Sequence, residues 1–191
     1  VKMAPDNLSP KLQNRYINLP ISASTLSRMV SQKQINGDNI KSYEEVMEES
    51  YRMYINDHKK VWIKFFEILL RSNKRPIIFH CSAGKDRTGI ASFMIQSIFN
   101  NHIDKIFENY LISNDLLTIK AATAEQKTNS SKQDTQVTKN MLSTLGKVQT
   151  SYLNAAIDEI EKKYSSLENY FISQLGLKHN DIQKIKQIFG N

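Results

Sequence analysis

Pro76-Ile77-Ile78-Phe79-His80-Cys81-Ser82-Ala83-Gly84-Lys85-Asp86-Arg87-Thr88-Gly89 is the stretch on which the reading of this chain turns. An apolar run leads into the chain's single cysteine; a turn of small residues follows, then an arginine, a hydroxyl and a helical pattern from Ile90 to Phe99. The expectation is strand, tight loop, helix. In such a loop the peptide N–H groups between Cys81 and Arg87 can converge into a nest at the positive end of the following helix, and a nest of that kind binds anions. A thiol at a helix N-terminus beside cations falls from a pKa of about 8.5 to roughly 3.5–7.5, so Cys81 is expected to be a thiolate at neutral pH.

The neighbouring residues supply matching chemistry. Arg87 offers a planar fork that grips two phosphoryl oxygens at once, which a lysine does not. Gly84 lets the backbone approach without a side chain in the way, and the amides of Ser82, Ala83 and Gly84 complete the cradle. Thr88 puts a hydroxyl near the sulfur, where it can stabilise the thiolate as a leaving group. These parts together describe phosphoryl transfer to sulfur and then to water, with neither metal nor cofactor. An acid must protonate the departing alcohol or phenol; Asp86, inside the loop, is the first candidate and Asp57 the alternative. Lys85 adds a positive charge expected to face the same pocket. A nucleotide-binding P-loop does not fit, because Asp86 stands where Ser or Thr is needed and Phe79 where the first glycine is needed. One Cys and four scattered His give no metal-ligand spacing.

The pattern H-C-x5-R-T-G resembles that of the cysteine-dependent protein tyrosine phosphatase superfamily at His80, Cys81, Arg87, Thr88 and Gly89. With the filling Ser82-Ala83-Gly84-Lys85-Asp86, the loop is similar to that of the bacterial tyrosine/serine phosphatases, and Lys85 is similar to a position in lipid phosphatase loops. The resemblance extends weakly through Glu108–Asn114 and the helices after Leu153. It implies a three-layer α/β fold with a parallel sheet flanked by helices, a helix-rich C-terminal half, and His80 and Gly89 as supports of the loop. The implied activity is hydrolysis of phosphotyrosine, and of phosphoserine or phosphothreonine, through a phosphocysteine. A phosphoinositide phosphatase is the alternative within enzymes, and an inactive phosphate-binding module the alternative of another class. The presence of Cys81, Arg87 and Thr88 together speaks against the module, because a binder needs no nucleophile.

The 191 residues fit a single domain with a full-sized core, and 40% are hydrophobic. No run approaches the roughly 20 apolar residues that cross a bilayer, and Val1–Asp6 lacks the apolar core of a signal peptide. One cysteine forms no internal disulfide and is expected to stay reduced, which favours the cytoplasm and remains compatible with secretion. The net charge of +7 suits phosphorylated substrates and peripheral contact with anionic membranes. The basic residues are dispersed, with no run interleaved with aromatics, so nucleic acid is not an expected partner. Oligomeric state has no signal.

Along the chain, Tyr16–Leu19 reads as a short strand and Ser22–Asn39 as a polar loop in which Arg28 is a solvated side chain. Ser42-Tyr43-Glu44-Glu45 reads as a capping box opening a long helix, divided at Asn56-Asp57. Its buried stripe is Met47, Tyr51, Tyr54, His58, Val61, Phe65 and Leu69. Ile103–Leu117 is the next helix, with Tyr110 on its apolar stripe. Thr118–Val137 is polar and reads either as a flexible connection or, with residues 118–150 as a candidate lid insertion, as a cover over the phosphate pocket. Helices follow from Leu153 and, after a capping box at Ser165–Glu168, to Gly176; Ile182, Ile185 and Phe189 close the chain. The resembled family's upstream strand ending in Asp-Leu-Arg has no counterpart here, and Arg75–His80 is the one convincing strand. The expectation is a native protein with tens more residues before Val1, or another chain that supplies them.

Overall fold

The structure, a computed structural model, describes residues 15–22, 40–125 and 146–190, and for 40–42 and 117–125 the backbone alone. Arg28 and the polar stretch of the expected lid between 126 and 145 lie outside the described residues. Seven helices occur among the described residues. They are α1 (Ile40–Asn56), α2 (Lys59–Arg71), α3 (Asp86–Ile98), α4 (Ile103–Glu125), α5 (Thr150–Tyr164), α6 (Leu167–Ser173) and α7 (His179–Phe189).

The first long helix divides at Asp57-His58, one residue beyond the Asn56-Asp57 that the sequence suggests, and two side chains explain why the break is stable. The last carbonyls of a helix have no partner within it. Here the indole Nε1 of Trp62 donates to the Tyr54 carbonyl at 2.7 Å and the Tyr170 hydroxyl donates to the Ile55 carbonyl at 3.1 Å. The Asn56 side chain also bridges to α5, donating to Glu159 at 2.8 Å and accepting from Lys163 at 3.0 Å. The helix itself begins at Ile40, so Ser42 lies inside it and is not the cap that the sequence suggests.

The core forms where α1 packs along α5 and where α3 touches α4, α5 and α7. From α2, Trp62, Phe65, Phe66 and Leu69 are buried, each contributing about 1.5–3 kcal/mol when fully removed from water. Phe66 meets Phe171 of α6 at 5.3 Å between ring centroids, and Phe65 meets Phe79 at 5.5 Å edge-on. That second contact fixes the approach to the loop. His58 and Val61 are only partly buried, since the break turns the stripe at that point.

Three boundaries differ from expectation. α3 starts at Asp86 rather than Ile90, which puts Arg87 and Thr88 in its first turn and shortens the loop; an acidic residue at that end suits the helix dipole. α4 continues to Glu125, through a stretch whose Ala121, Ala122 and Ala124 favour helix more than their polar neighbours oppose it. Ser165 is the left-handed cap ending α5 (φ 66°), and Ser166 is the one that caps α6, accepting from the Asn169 N–H at 3.1 Å.

No strand is present among the described residues. Arg75–His80 and Arg15–Ser22 run as non-helical segments outside any sheet, and Ile78 is 93% exposed. A strand is a relation between two segments, and an apolar run without a neighbour to bond cannot be one.

Candidate active site

The chain enters the loop along Ile77–Cys81 and turns at Gly84, whose φ of +74° is a left-handed conformation that only glycine adopts without strain. It then winds directly into α3, the Gly89 N–H closing the first turn on the Lys85 carbonyl at 2.8 Å. The Cys81 N–H donates to the Thr88 hydroxyl oxygen at 2.9 Å, which joins the last residue of the approach to the first turn of the helix. Burial pushes the Cys81 thiol up, but hydrogen bonds from the Thr88 side chain and N–H, the Arg87 charge and the Gly84 N–H outweigh it and leave the pKa below the ordinary thiol value. His80 sits exposed beside the Cys81 carbonyl, its Nδ1 at 3.1 Å.

Arg87 is held from two directions. Its Nη1 donates to the Ile21 carbonyl at 2.9 Å and its Nη2 to the Ser82 hydroxyl at 3.4 Å. Its Nε is buried and has no hydrogen-bond partner among the described residues. The two outer nitrogens are thus tied to the protein, which fixes the plane of the guanidinium beside the loop.

Lys85 and Asp86 turn toward the protein. Lys85 is only 5% exposed, and its ammonium lies 3.0 Å from both carboxylate oxygens of Asp86 and 3.4 Å from the Lys147 carbonyl. The Lys85 ammonium is thus taken up by Asp86 and the Lys147 carbonyl, while the residue also lines the cavity beside the loop. Asp86 Oδ1 also accepts from the Tyr51 hydroxyl at 2.9 Å, and Tyr51 lies 2.6 Å from the Tyr110 hydroxyl. Burial first, then the Asp86 charge and Tyr110, raise the Tyr51 phenol well above its ordinary value, so it stays protonated and donates. Tyr54 is raised to about 12, by burial and then by Asp86. Tyr110 is core rather than a stacking platform, buried beside Gly89.

His58 is lowered by burial first and then by the Arg87 charge, against the opposing pull of Asp57, which places it within the arginine's field. Asp57 itself is exposed at the break between α1 and α2. Between α3 and α4, next to the loop, lies a polar cavity of about 90 Å³ whose walls include Gly84, Thr88, Ser92 and Asn109. No group of three or more His, Cys, Asp or Glu arranged for a metal occurs among the described residues.

The structure thus brings Cys81, Arg87, Thr88 and the Ser82–Gly84 turn together, and adds Ile21, Tyr51, Tyr54 and Lys147. A tyrosine at a buried helix position was the available signal for Tyr51, since its hydroxyl requires a partner that a phenylalanine would not. A backbone carbonyl such as that of Ile21 leaves no such mark.

Comparison with known proteins leads the same way. The triple specificity protein phosphatase PtpB of Mycobacterium tuberculosis is 26% identical over 180 residues, covering 86% of this chain and 64% of that protein. A tyrosine-protein phosphatase of Nostoc commune is 21% identical over 166 residues, covering 86% and 56%. The inositol diphosphatase SIW14 of Saccharomyces cerevisiae is 32% identical over 71 residues, covering 37% and 25%. The chain therefore spans less than two thirds of the length of these relatives. The pattern described as the tyrosine phosphatase family matches residues 2–190. With a loop of this geometry around Cys81 and a family match over nearly its whole length, the chain belongs to the tyrosine phosphatase family.

Proposed function

We propose that the chain hydrolyses phosphate monoesters of phosphotyrosine, and of phosphoserine or phosphothreonine, in proteins, through a phosphocysteine and without a metal. The observation that carries this is the Cys81 thiol lowered by Thr88, Arg87 and Gly84, in a loop whose arginine is held by the Ile21 carbonyl and the Ser82 hydroxyl. In the first step Cys81 Sγ attacks phosphorus and the P–O ester bond breaks. The electron pair goes to the leaving oxygen, which takes a proton from Asp86. In the second step water attacks the phosphocysteine, gives its proton to the Asp86 carboxylate, and the P–S bond breaks to return the thiolate and inorganic phosphate. Arg87 and the amides of Ser82, Ala83, Gly84 and Lys85 carry the charge of the phosphoryl oxygens. Asp86 enters the first step as the carboxylic acid and leaves it as the carboxylate; the Tyr51 hydroxyl and the Lys85 ammonium, which donate to its oxygens, hold it in place.

The finer architecture belongs to the same proposal. Arg75–His80 and Tyr16–Leu19 become strands of a parallel sheet when further strands cover the exposed side of Ile78. Residues 118–150 act as a lid insertion within a single domain. Substrates are phosphoproteins, with peripheral contact to anionic membranes.

Initial rates on phosphotyrosine, phosphoserine and phosphoinositide substrates, with chelator present, test the reading. Phosphotyrosine is expected to turn over fastest; a phosphoinositide turned over faster than any phosphopeptide would transfer the assignment to the lipid class. Cys81→Ser is expected to bind phosphopeptide and form no phosphoenzyme, and turnover equal to that of the unaltered chain would remove the mechanism.

A further inference from the structure

We infer that Asn114, on α4, is a positioning residue for this reaction, acting with Tyr51 to hold the Lys85–Asp86 pair from opposite sides; the inference rests on the phosphatase reading above. Asn114 Oδ1 accepts from the Val148 N–H at 2.8 Å, and its Nδ2 donates to the Val148 carbonyl at 2.9 Å. The Val148 N–H and the Lys147 carbonyl belong to one planar trans peptide and point in opposite directions. Gripping the N–H therefore aims the carbonyl, and that carbonyl is the one that accepts from the Lys85 ammonium at 3.4 Å. Val148 is buried and Gln149 is tied to Glu44 at 3.0 Å, so this peptide has little freedom to move.

The other side of the pair is reached from the same helix. Tyr110 precedes Asn114 by four residues and shares its face. Its hydroxyl meets that of Tyr51, which donates to Asp86. The distance between α3 and α4 is fixed by Gly89, where a Cβ would lie 2.8 Å from the Tyr110 ring. One face of α4 thus sets both the ammonium and the carboxylate of a pair that sits beside Cys81 and Arg87. Lys85 is nearly fully buried, so an ammonium that loses the Lys147 carbonyl has no water to replace it and shifts, taking Asp86 with it. Misplacement of about 1 Å in a proton-transferring group can cost on the order of 100-fold.

The test measures kcat and KM of Asn114→Ala, Tyr51→Phe and the double variant on phenyl phosphate and on p-nitrophenyl phosphate. Phenolate needs a proton to leave and nitrophenolate hardly does. Each single change is expected to lower kcat on phenyl phosphate by about tenfold, with a loss several times smaller on the nitrophenyl ester and KM little changed. The double variant is expected to lose less than the product of the two single losses, because both act on one pair. Asn114→Asp, which keeps the acceptor for the Val148 N–H but sets a carboxylate oxygen against the Val148 carbonyl, is expected to recover only part of the activity lost in Asn114→Ala. Tyr51→Phe keeps the ring in the core, so the substrate comparison survives even if Asn114→Ala folds poorly. Equal losses on the two esters, or single losses that multiply, would overturn the positioning role alone. An unaltered chain that hydrolyses neither ester overturns the phosphatase reading, and this role with it.

Discussion

At the scale of single residues, the sulfur of Cys81 decides the behaviour of the site. Its folded pKa lies below that of a free thiol, so the unfolded chain binds more protons between the two values and stability rises with pH across that window. The contribution is full above the free-thiol pKa and is lost as pH falls through the folded one. Iodoacetamide is accordingly expected to alkylate Cys81 at pH values where free cysteine is inert. Thr88→Val, which removes the hydroxyl that bonds both the Cys81 N–H and the sulfur, should move that alkylation profile to higher pH and slow turnover about tenfold. Arg87→Lys keeps the charge and loses the fork, and a fall in kcat/KM of about 100-fold is expected in a steady-state assay. These residues were legible in the sequence because Cys81, Arg87 and Thr88 are close together and of telling types. Ile21 and Tyr51 were not, since they reach the loop from 66 and 35 residues away and the first contributes only a main-chain oxygen.

At the scale of elements, periodicity located the helices and misjudged their ends. The break at Asp57-His58 and the buried faces of α2, α3 and α5 follow from apolar spacing, which is set by the core that each helix meets. Ends depend on one hydroxyl or one dihedral angle, so the pair Ser165-Ser166 was resolved one residue off. Ser166→Ala should lower stability by about 1 kcal/mol in a denaturant titration, through loss of the bond to the Asn169 N–H. Ser165→Ala should remove no side-chain cap bond, because Ser165 ends α5 through its left-handed dihedral and its backbone N–H. Gly89→Ala drives a methyl into the Tyr110 ring, and an overpacking cost of about 1–3 kcal/mol is expected as a lower melting temperature. A chain unchanged in melting temperature would mean that α4 can retreat from α3 freely.

At the scale of the whole molecule, the helices were readable, and the strands expected at Arg75–His80 and Tyr16–Leu19 are not formed among the described residues. Helical bonds are local, so a single stretch carries its own pattern; strand bonds join segments, and one run such as Pro76–Phe79 says nothing about what lies beside it. Among the described residues no helix is long and apolar enough to cross a membrane. The chain contains a single cysteine, and it is the nucleophile proposed above. A peroxide that converts Cys81 to the sulfenic acid meets no second thiol in this chain with which to close a protective disulfide. Recovery then depends on a backbone nitrogen forming a cyclic sulfenamide or on a small thiol such as glutathione arriving from solution, and without either the sulfur continues to the irreversible sulfinic state.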